Sequence, residues 1–342
     1  MKDVESVDKL SNMLSNPFSA YQSNKEEFDL IRNAGKEIWI TEYNLFDRGH
    51  CVHDTWAHGL FLATQTLTLL QDTGITKVLC HSLTADARFS CIFNDSTSLV
   101  DYESFLGDAN CNINAPHTRP YEFSANGTAL SRVAHAIQNS TTRAPLLFNN
   151  TTTPVFENGF QRLYGYYFDG PLYTEAIILN LDSISHTINI NSAIWNVSGG
   201  KYEQIYCGPG GPLEYIVGNP KSNPGANELA IASNVNATQT ILLRPWSLTR
   251  VWKKKTAITV KATDTEICKG TTTTLLARGG SSYTWSGANV TYLKPDGSLV
   301  EFNTSNTGIK TYVVTVTDAN GSTATATVRV FPKPSLAVTS TN

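Results

Sequence analysis

The stretch KEIWITEYN, residues 36–44, decides how the first part of this chain is interpreted. Its centre, Ile38 to Ile40, is a continuous apolar run, which is typical of a parallel strand buried on both faces. Two residues later the sequence becomes polar and places a carboxylate, Glu42, at the predicted end of the strand, with Tyr43 and Asn44 beside it. In parallel sheets the chemistry lies where strands end and loops begin. Glu42 is therefore the first candidate for a functional residue.

The segments around this strand predict parallel βα units. Residues 24–34 form an amphipathic helix pattern behind Asn24, and the pattern stops at Gly35. A second helical pattern runs from Thr55 to Asp72, followed by the buried strand ITKVLCHSL, and NGTALSRVAHAIQN repeats the helical period. Because two strands cannot stand alone, residues 1–143 are predicted to be the last two βα units of a partial (β/α)₈ TIM barrel. We expect parallel strands near 37–42 and 76–81.

The rest of the chain is predicted to be all-β, so the fold class is multidomain α/β plus all-β. Period-two segments such as TEAIILNL and KYEQIYC predict a β-sandwich over residues 144–254. A basic joint, Lys253 to Lys255, precedes Thr-rich strands separated by Gly, Asn and Asp turns, which predict an Ig-like β-sandwich over 256–332. Residues 333–342 form a Pro/Ser/Thr-rich linker or tail.

Composition and cysteine content exclude several classes of function. Charged residues make up 16% of the 342 residues and the formal net charge is -3, so nucleic acid and anionic lipid are poor partners. No segment has the length and hydropathy of a membrane span, and the first residues lack a signal-peptide core. The six cysteines show no zinc-site spacing, and no metal or cofactor is predicted. Cys91 and Cys111 bracket a polar loop and are the disulfide candidate, although six cysteines allow many pairings.

The layout helix, strand, ITEYN, helix, strand resembles the end of a clan A glycoside hydrolase barrel, in particular the α-L-arabinofuranosidase-like families. DTWAHGLFLA is similar to the helix after their seventh strand, VLCHSL to the eighth strand, and RPWSLTRVW to the final strand of the sandwich behind the barrel. The resemblance covers residues 24–252 and implies that Glu42 is the nucleophile of retaining double displacement. The alternative is a rim carboxylate in a structural salt bridge.

Retaining hydrolysis needs a second carboxyl group about 5–5.5 Å from the nucleophile. In the resembled clan it follows an Asn at the end of the fourth strand, and this chain holds no equivalent. Asn227-Glu228 lies in the sandwich section and Glu157-Asn158 has the reverse order. The acid/base is therefore expected outside this chain, and the isolated chain is expected to be inactive. An export signal is expected to have been lost with a missing N-terminal part, so the protein is expected to be secreted or on the cell surface.

Four residues are candidate substrate contacts: Tyr43, Asn44, His81 and Trp56. His81 ends the second strand and faces the same cleft as Glu42, although a strand-end histidine is also a common packing residue. Trp56 offers a ring for stacking on a sugar, yet it falls in the helical stripe, which favours a place in the core. Asp47 and Arg48 are expected in a solvated loop. His50, His53 and His58 lack the i, i+4 spacing of a helical metal pair, so a metal site there is disfavoured.

The third section resembles the PKD-type or Ig-like modules of secreted Bacteroidetes proteins. The resemblance implies that Trp285 is the buried tryptophan of its sandwich and that Cys268 is unpaired, because Ser322 stands where relatives have a cysteine. The leading hypothesis is hydrolysis of O-glycosyl bonds in a plant or algal polysaccharide. The alternatives are a non-catalytic carbohydrate-binding or adhesin-type surface protein, and a purely structural stalk.

Overall fold

The computed structural model of this chain describes most residues between 7 and 333. The described ranges are 7–45, 52, 55–81, 84–85, 91–93, 122–148, 153–192, 195–213, 219–225, 228–255, 258–280, 282–286, 290–304, 311–318 and 323–333. The chain divides into two compact units, Met1–Lys253 and Lys254–Asn342. The helical section and the first β-sandwich therefore lie in one unit, and they share one hydrophobic core.

In the first part of unit 1, the described residues form four helices and a pair of six-residue parallel strands. The strands β1 (Ile38–Tyr43) and β2 (Ile75–Cys80) pair in parallel, which confirms the predicted βα arrangement. The helices are α1 (Val7–Ser23), α2 (Lys25–Asn33), α3 (Trp56–Leu69) and α4 (Ala125–Gln138). Short strands β3 (Thr84–Ala85) and β4 (Ile92–Phe93) follow β2. None of the helices in the described part of the chain combines the length and apolar character needed to cross a bilayer.

Helix α1 was not predicted, although its spacing carries the signal. Leu10, Leu14 and Phe18 recur at every fourth position, which puts them on one face of a helix. All three are buried in the core that also contains the apolar residues of α3. Burial of this stripe explains why residues 7–23 are helical.

Helix α2 has the predicted end but not the predicted cap. The Asn24 amide donates to the Ala20 carbonyl 2.7 Å away, at the end of α1, and does not cap α2. Gly35 adopts a φ of 67°, and its N–H donates to the Arg32 carbonyl at 2.9 Å. This left-handed residue closes the helix and turns the chain into β1, as glycine does at many helix ends.

The prediction that both strands are buried on both faces is wrong. One face of the pair packs on the helices through Ile38 and Ile75. On the other face Trp39 is 54% exposed and Leu79 is 57% exposed. The apolar runs match parallel strands, but the described helices cover one side of them. Lys77 lies over the exposed Trp39 ring, with Nζ 3.7 Å from its centroid.

The remainder of unit 1 is a two-layer β structure. Its large sheet has the order β10-β9-β12-β7-β6-β5 and its small sheet pairs β11 with β8. The bounds are β5 (Thr142–Pro145), β6 (Leu163–Asp169), β7 (Tyr173–Asn180), β8 (His186–Asn189), β9 (Lys201–Cys207), β10 (Leu229–Asn236), β11 (Thr240–Leu243) and β12 (Ser247–Lys254). One face of the large sheet packs on the helices and the other shares a core with the small sheet. Coverage on both faces explains the unbroken burial of Ala176 to Asn180 in β7.

Unit 2 consists of two four-stranded sheets that share one core. The sheet orders are β13-β15-β18-β17 and β14-β20-β19-β16. The bounds are β13 (Thr259–Ala262), β14 (Glu266–Cys268), β15 (Thr272–Arg278), β16 (Tyr283–Ser286), β17 (Val290–Tyr292), β18 (Leu299–Asn303), β19 (Thr311–Asp318) and β20 (Thr323–Phe331). Trp285 is buried as predicted, and its indole N–H donates to the Gly297 carbonyl at 2.7 Å. Cys268 is a free cysteine, and Ser322 lies outside the described residues.

Candidate active site

Glu42 and His81 meet at the carboxyl end of the parallel strand pair. Glu42 is the fifth residue of β1, and His81 directly follows β2. The His81 N–H donates to the Tyr43 carbonyl at 3.1 Å, so the strand register brings the two ends together. His81 Nδ1 lies 3.5 Å from Glu42 Oε1, and the two side chains are 47% and 68% exposed. The pair is an open carboxylate with a histidine on one side.

Asn44 connects the two strand ends to the start of α3. Its side-chain amide donates to the His81 carbonyl, and its Oδ1 accepts from the backbone N–H of Leu45 at 2.7 Å. Asn44 Oδ1 also lies 2.7 Å from Nε2 of the fully buried His58. An amide oxygen only accepts, so Nε2 of His58 carries the hydrogen. Asn44, predicted as a substrate contact, thus lies in the structure as a residue that positions His81.

Tyr43 points away from Glu42 and into the core beneath the site. Its hydroxyl is 2.6 Å from Thr66 Oγ1 on α3, and Thr66 Oγ1 in turn donates to the Leu62 carbonyl. Burial raises the pKa of the Tyr43 phenol well above its usual range. The Tyr43 hydroxyl, predicted as a substrate contact, is therefore engaged in the core, and a register shift between Ile40 and Tyr43 breaks the regular alternation of β1 at this point.

Trp56 is also not a substrate contact. Its ring is completely buried, and its indole N–H donates to the Trp246 carbonyl at 2.6 Å. A ring without exposed surface cannot stack on a sugar. The sequence left two interpretations of Trp56, a sugar contact and a core residue. The core interpretation is correct, since Trp56 anchors α3 to the β-sandwich.

The predicted disulfide between Cys91 and Cys111 is not confirmed for Cys91, the one of the two cysteines that the structure describes. Cys91 is a buried free cysteine, and Cys111 lies outside the described residues. The Cys91 thiol contacts Cys80 at the end of β2. This neighbour was missed because eleven positions separate the two residues and only the fold brings them together. His50, His53, Asp47 and Arg48 lie outside the described residues as well.

A buried charge cluster between α4 and the large sheet was missed. Arg250 on β12 donates to both carboxylate oxygens of Glu175 on β7, at 2.9 and 3.1 Å. His135 Nδ1 on α4 lies 3.4 Å from Glu175 Oε1. Glu203 on β9 adds a second carboxylate, 3.4 Å from Arg132 Nε. A single charged residue inside each of the apolar segments TEAIILNL and SLTRVW was the available signal.

A pocket lies between α1 and β6. It has a volume of about 210 Å³ and is lined by Phe18, Tyr21, Gln22, Gln71, Phe160, Gln161 and Tyr164. The Gln71 amide donates to the Tyr164 hydroxyl at 3.0 Å. Gln71 lies before β2, and His81 lies directly after it. The six residues of this strand, about 20 Å, therefore separate the pocket from the site of Glu42 and His81.

Comparison with known proteins gave structural likenesses only. No protein-family model matches the chain, and no curated protein matches it. A 4-O-α-L-rhamnosyl-β-D-glucuronidase from Fusarium oxysporum 12S matches with a TM-score of 0.45 and 12% identity, over 71% of this chain and 49% of the enzyme. A GH30 endoxylanase from Clostridium papyrosolvens matches with a TM-score of 0.37 and 12% identity, over 72% of this chain and 46% of that one.

A β-porphyranase of glycoside hydrolase family 86 from Bacteroides plebeius matches with a TM-score of 0.35 and 9% identity, over 86% of this chain and 51% of the enzyme. The chain thus spans about half the length of these solved structures. The solved structures that this chain resembles include glycoside hydrolases, at low sequence identity.

Proposed function

We propose that this chain carries the nucleophile half of a retaining glycoside hydrolase site, with Glu42 as the attacking carboxylate. The observation that carries the proposal is the position of Glu42, which is exposed at the carboxyl end of a parallel strand and 3.5 Å from His81 Nδ1. That is where enzymes built on parallel barrels place reacting groups. The resemblance of the segment ITEYN to the seventh strand of clan A hydrolases supports the same role.

In the proposed reaction Glu42 attacks the anomeric carbon while the bond to the leaving oxygen breaks. A second carboxyl group gives its proton to the leaving oxygen, and the sugar is held as an ester of Glu42. Water then attacks the anomeric carbon, its proton passes to the second carboxylate, and Glu42 is released. His81 orients Oε1, which leaves Oε2 of Glu42 for the attack.

A covalent label tests the proposal with few assumptions. A 2-deoxy-2-fluoro glycoside with a dinitrophenolate leaving group needs no acid catalyst to depart, so Glu42 should react without its partner carboxylate. A panel of such sugars that includes the arabinofuranoside should give one labelled peptide, the one containing residues 38–44. Peptide mass spectrometry measures it.

Glu37→Gln is the matched control for this label. Glu37 precedes the other end of β1, where it accepts hydrogen bonds from Trp39 at 3.0 Å and Thr76 at 3.2 Å. Its variant should still be labelled, whereas Glu42→Gln should not. Labelling of any other carboxylate, or equal labelling of the Glu42→Gln variant, would show that Glu42 is only a rim residue.

The pocket between α1 and β6 favours a second candidate function, non-catalytic carbohydrate binding. Its lining combines the half-buried rings of Phe160 and Tyr164, supported from the core by Phe18 stacked on Phe160 at a centroid distance of 5.2 Å, with exposed glutamines. Aromatic surface and side-chain amides match the apolar faces and hydroxyls of a sugar. Chemical-shift titration with a set of oligosaccharides tests this function. Gln161→Ala should weaken binding, and Trp39→Ala, which removes an exposed ring elsewhere, should not.

A further inference from the structure

Two cysteines meet beneath the candidate site. Cys80 is the last residue of β2, and Cys91 directly precedes β4. Both are free cysteines in the structure, and their thiols hydrogen bond to each other. The Tyr43 hydroxyl lies against the same pair, since it hydrogen bonds to the Cys80 thiol and interacts with Cys91. The two sulfurs are therefore neighbours before any bond forms between them.

The backbone on each side of the pair holds the sulfurs together. Cys80 is the register partner of Tyr43 in the parallel strand pair. The Cys91 carbonyl accepts from the Ser124 N–H at 3.0 Å and from the Ser124 hydroxyl at 3.3 Å, at the start of α4. Gly127 on α4 contacts the same carbonyl so closely that a side-chain carbon at this position would overlap with it. The proximity of the thiols thus follows from a strand end and a helix start.

We propose that Cys80 and Cys91 are a disulfide-forming pair that ties the strand end bearing His81 to the start of α4. The oxidant is a small-molecule disulfide such as oxidised glutathione. One cysteine thiolate attacks it and releases one glutathione, and the second cysteine then attacks the mixed disulfide and releases the other. Two cysteine thiols lose two electrons and two protons in total, and one glutathione disulfide becomes two glutathione thiols. The bond is independent of the proposed hydrolase activity.

Each thiol of the pair changes the ionisation of the other. The hydrogen bond from Cys80 lowers the pKa of the Cys91 thiol against the opposing effect of its burial. The hydrogen bond to Cys91 and burial raise the pKa of the Cys80 thiol above its usual range. The thiolate is the form that attacks a disulfide in the exchange.

Peptide mapping of the intact chain tests the proposal and separates it from a Cys91–Cys111 bridge. Trypsin cuts after Lys77 and Arg88, so a Cys80–Cys91 bond joins two peptides, whereas a Cys91–Cys111 bond closes a loop within one peptide that begins at Phe89. Cleavage at the acidic residues between Asp95 and Asp108 then assigns the partner. In an oxidising glutathione buffer we expect the crosslinked peptide pair and a loss of about 90% of the alkylation of Cys80.

The variants give an independent measurement. Oxidation should raise the Tm of the natural chain by about 5 °C, because the bond closes a short loop. Cys80→Ser should abolish this shift, and Cys207→Ser should keep it, since Cys207 lies on β9 away from the pair. A Cys91–Cys111 crosslink, or full alkylation of both Cys80 and Cys91 under oxidising conditions, would overturn the proposal.

Discussion

In two glutamate–histidine pairs of this chain the distance from the carboxylate oxygen to the histidine Nδ1 is nearly the same, but the exposure and the other partners of the carboxylate differ. Glu42 and His81 lie 3.5 Å apart, and Glu175 and His135 lie 3.4 Å apart. The Glu42 side chain is 68% exposed, whereas the Glu175 side chain is 3% exposed and bound through both oxygens by Arg250. In the buried pair the guanidinium of Arg250 neutralises the charge of the Glu175 carboxylate.

The comparison shows that proximity of a histidine does not identify a reacting carboxylate. A charge taken out of water must be paired, and the bidentate guanidinium does this for Glu175, so the pair ties the neighbouring strands β7 and β12 together beneath α4. An exposed carboxylate remains hydrated and has a free approach for a substrate. The difference between a structural and a reactive role therefore lies in the other partners, and four substitutions test it.

The largest effect is expected at Glu42. In a preparation of the protein that turns over an aryl glycoside, Glu42→Gln should reduce turnover about a thousand-fold or more, because the amide keeps the shape and loses the attacking anion. The free energy of unfolding should change by less than about 0.5 kcal/mol, as at other exposed positions. Steady-state kinetics and urea unfolding measure the two quantities. If the variant kept its turnover, Glu42 would have a structural role like that of Glu175 and would not be the nucleophile.

Glu175→Ala should have the reverse profile. The substitution leaves Arg250, whose side chain is 16% exposed, without its main partner. Breaking a buried pair on one side costs about 3 kcal/mol, so the midpoint of urea unfolding should fall clearly. Unfolding as stable as that of the natural chain would show that the cluster is not a structural connection.

Asn44→Ala should lower activity without removing the nucleophile. The change deletes the hydrogen bonds to the His81 carbonyl and to His58 that fix the position of the histidine beside Glu42. We expect turnover to fall about tenfold with little change in KM, because orientation and not binding is lost. Covalent labelling of Glu42 should continue at a lower rate. A change confined to KM would instead make Asn44 a substrate contact.

The smallest effect is expected from His135→Ala. Arg250 still binds both oxygens of Glu175 in this variant, and the His135 side chain is 43% exposed. The loss should be less than about 1 kcal/mol in the free energy of unfolding, because the substitution removes one partly exposed hydrogen bond, the one that His135 Nδ1 accepts from Arg250 at 3.1 Å. A loss as large as that of Glu175→Ala would mean that the histidine, and not the arginine, is the essential partner.

Local pattern was enough to predict much of the fold. The steps of three and four in α3 and α4 and the apolar runs of β1 and β2 predicted those elements and their parallel pairing, because periodicity follows from backbone geometry. Strands β14, β16, β17 and β18 were not singled out, since each is only three to five residues long. The exposure of Trp39 and Leu79 was also missed, since an apolar run reports what a strand can bury and not what covers it.

In the candidate site, too, the sequence predicted some features and missed others. The sequence by itself determined that Glu42 lies at the end of one apolar strand and that His81 lies at the end of the next strand. Both positions follow from local composition, because each apolar run ends where polar residues begin. Only the tertiary structure decided which neighbours point at Glu42. It turned Tyr43 into the core, placed Trp56 against the Trp246 carbonyl and brought Cys80 to Cys91. Those contacts join residues far apart in the chain, and their formation depends on packing that no local pattern encodes.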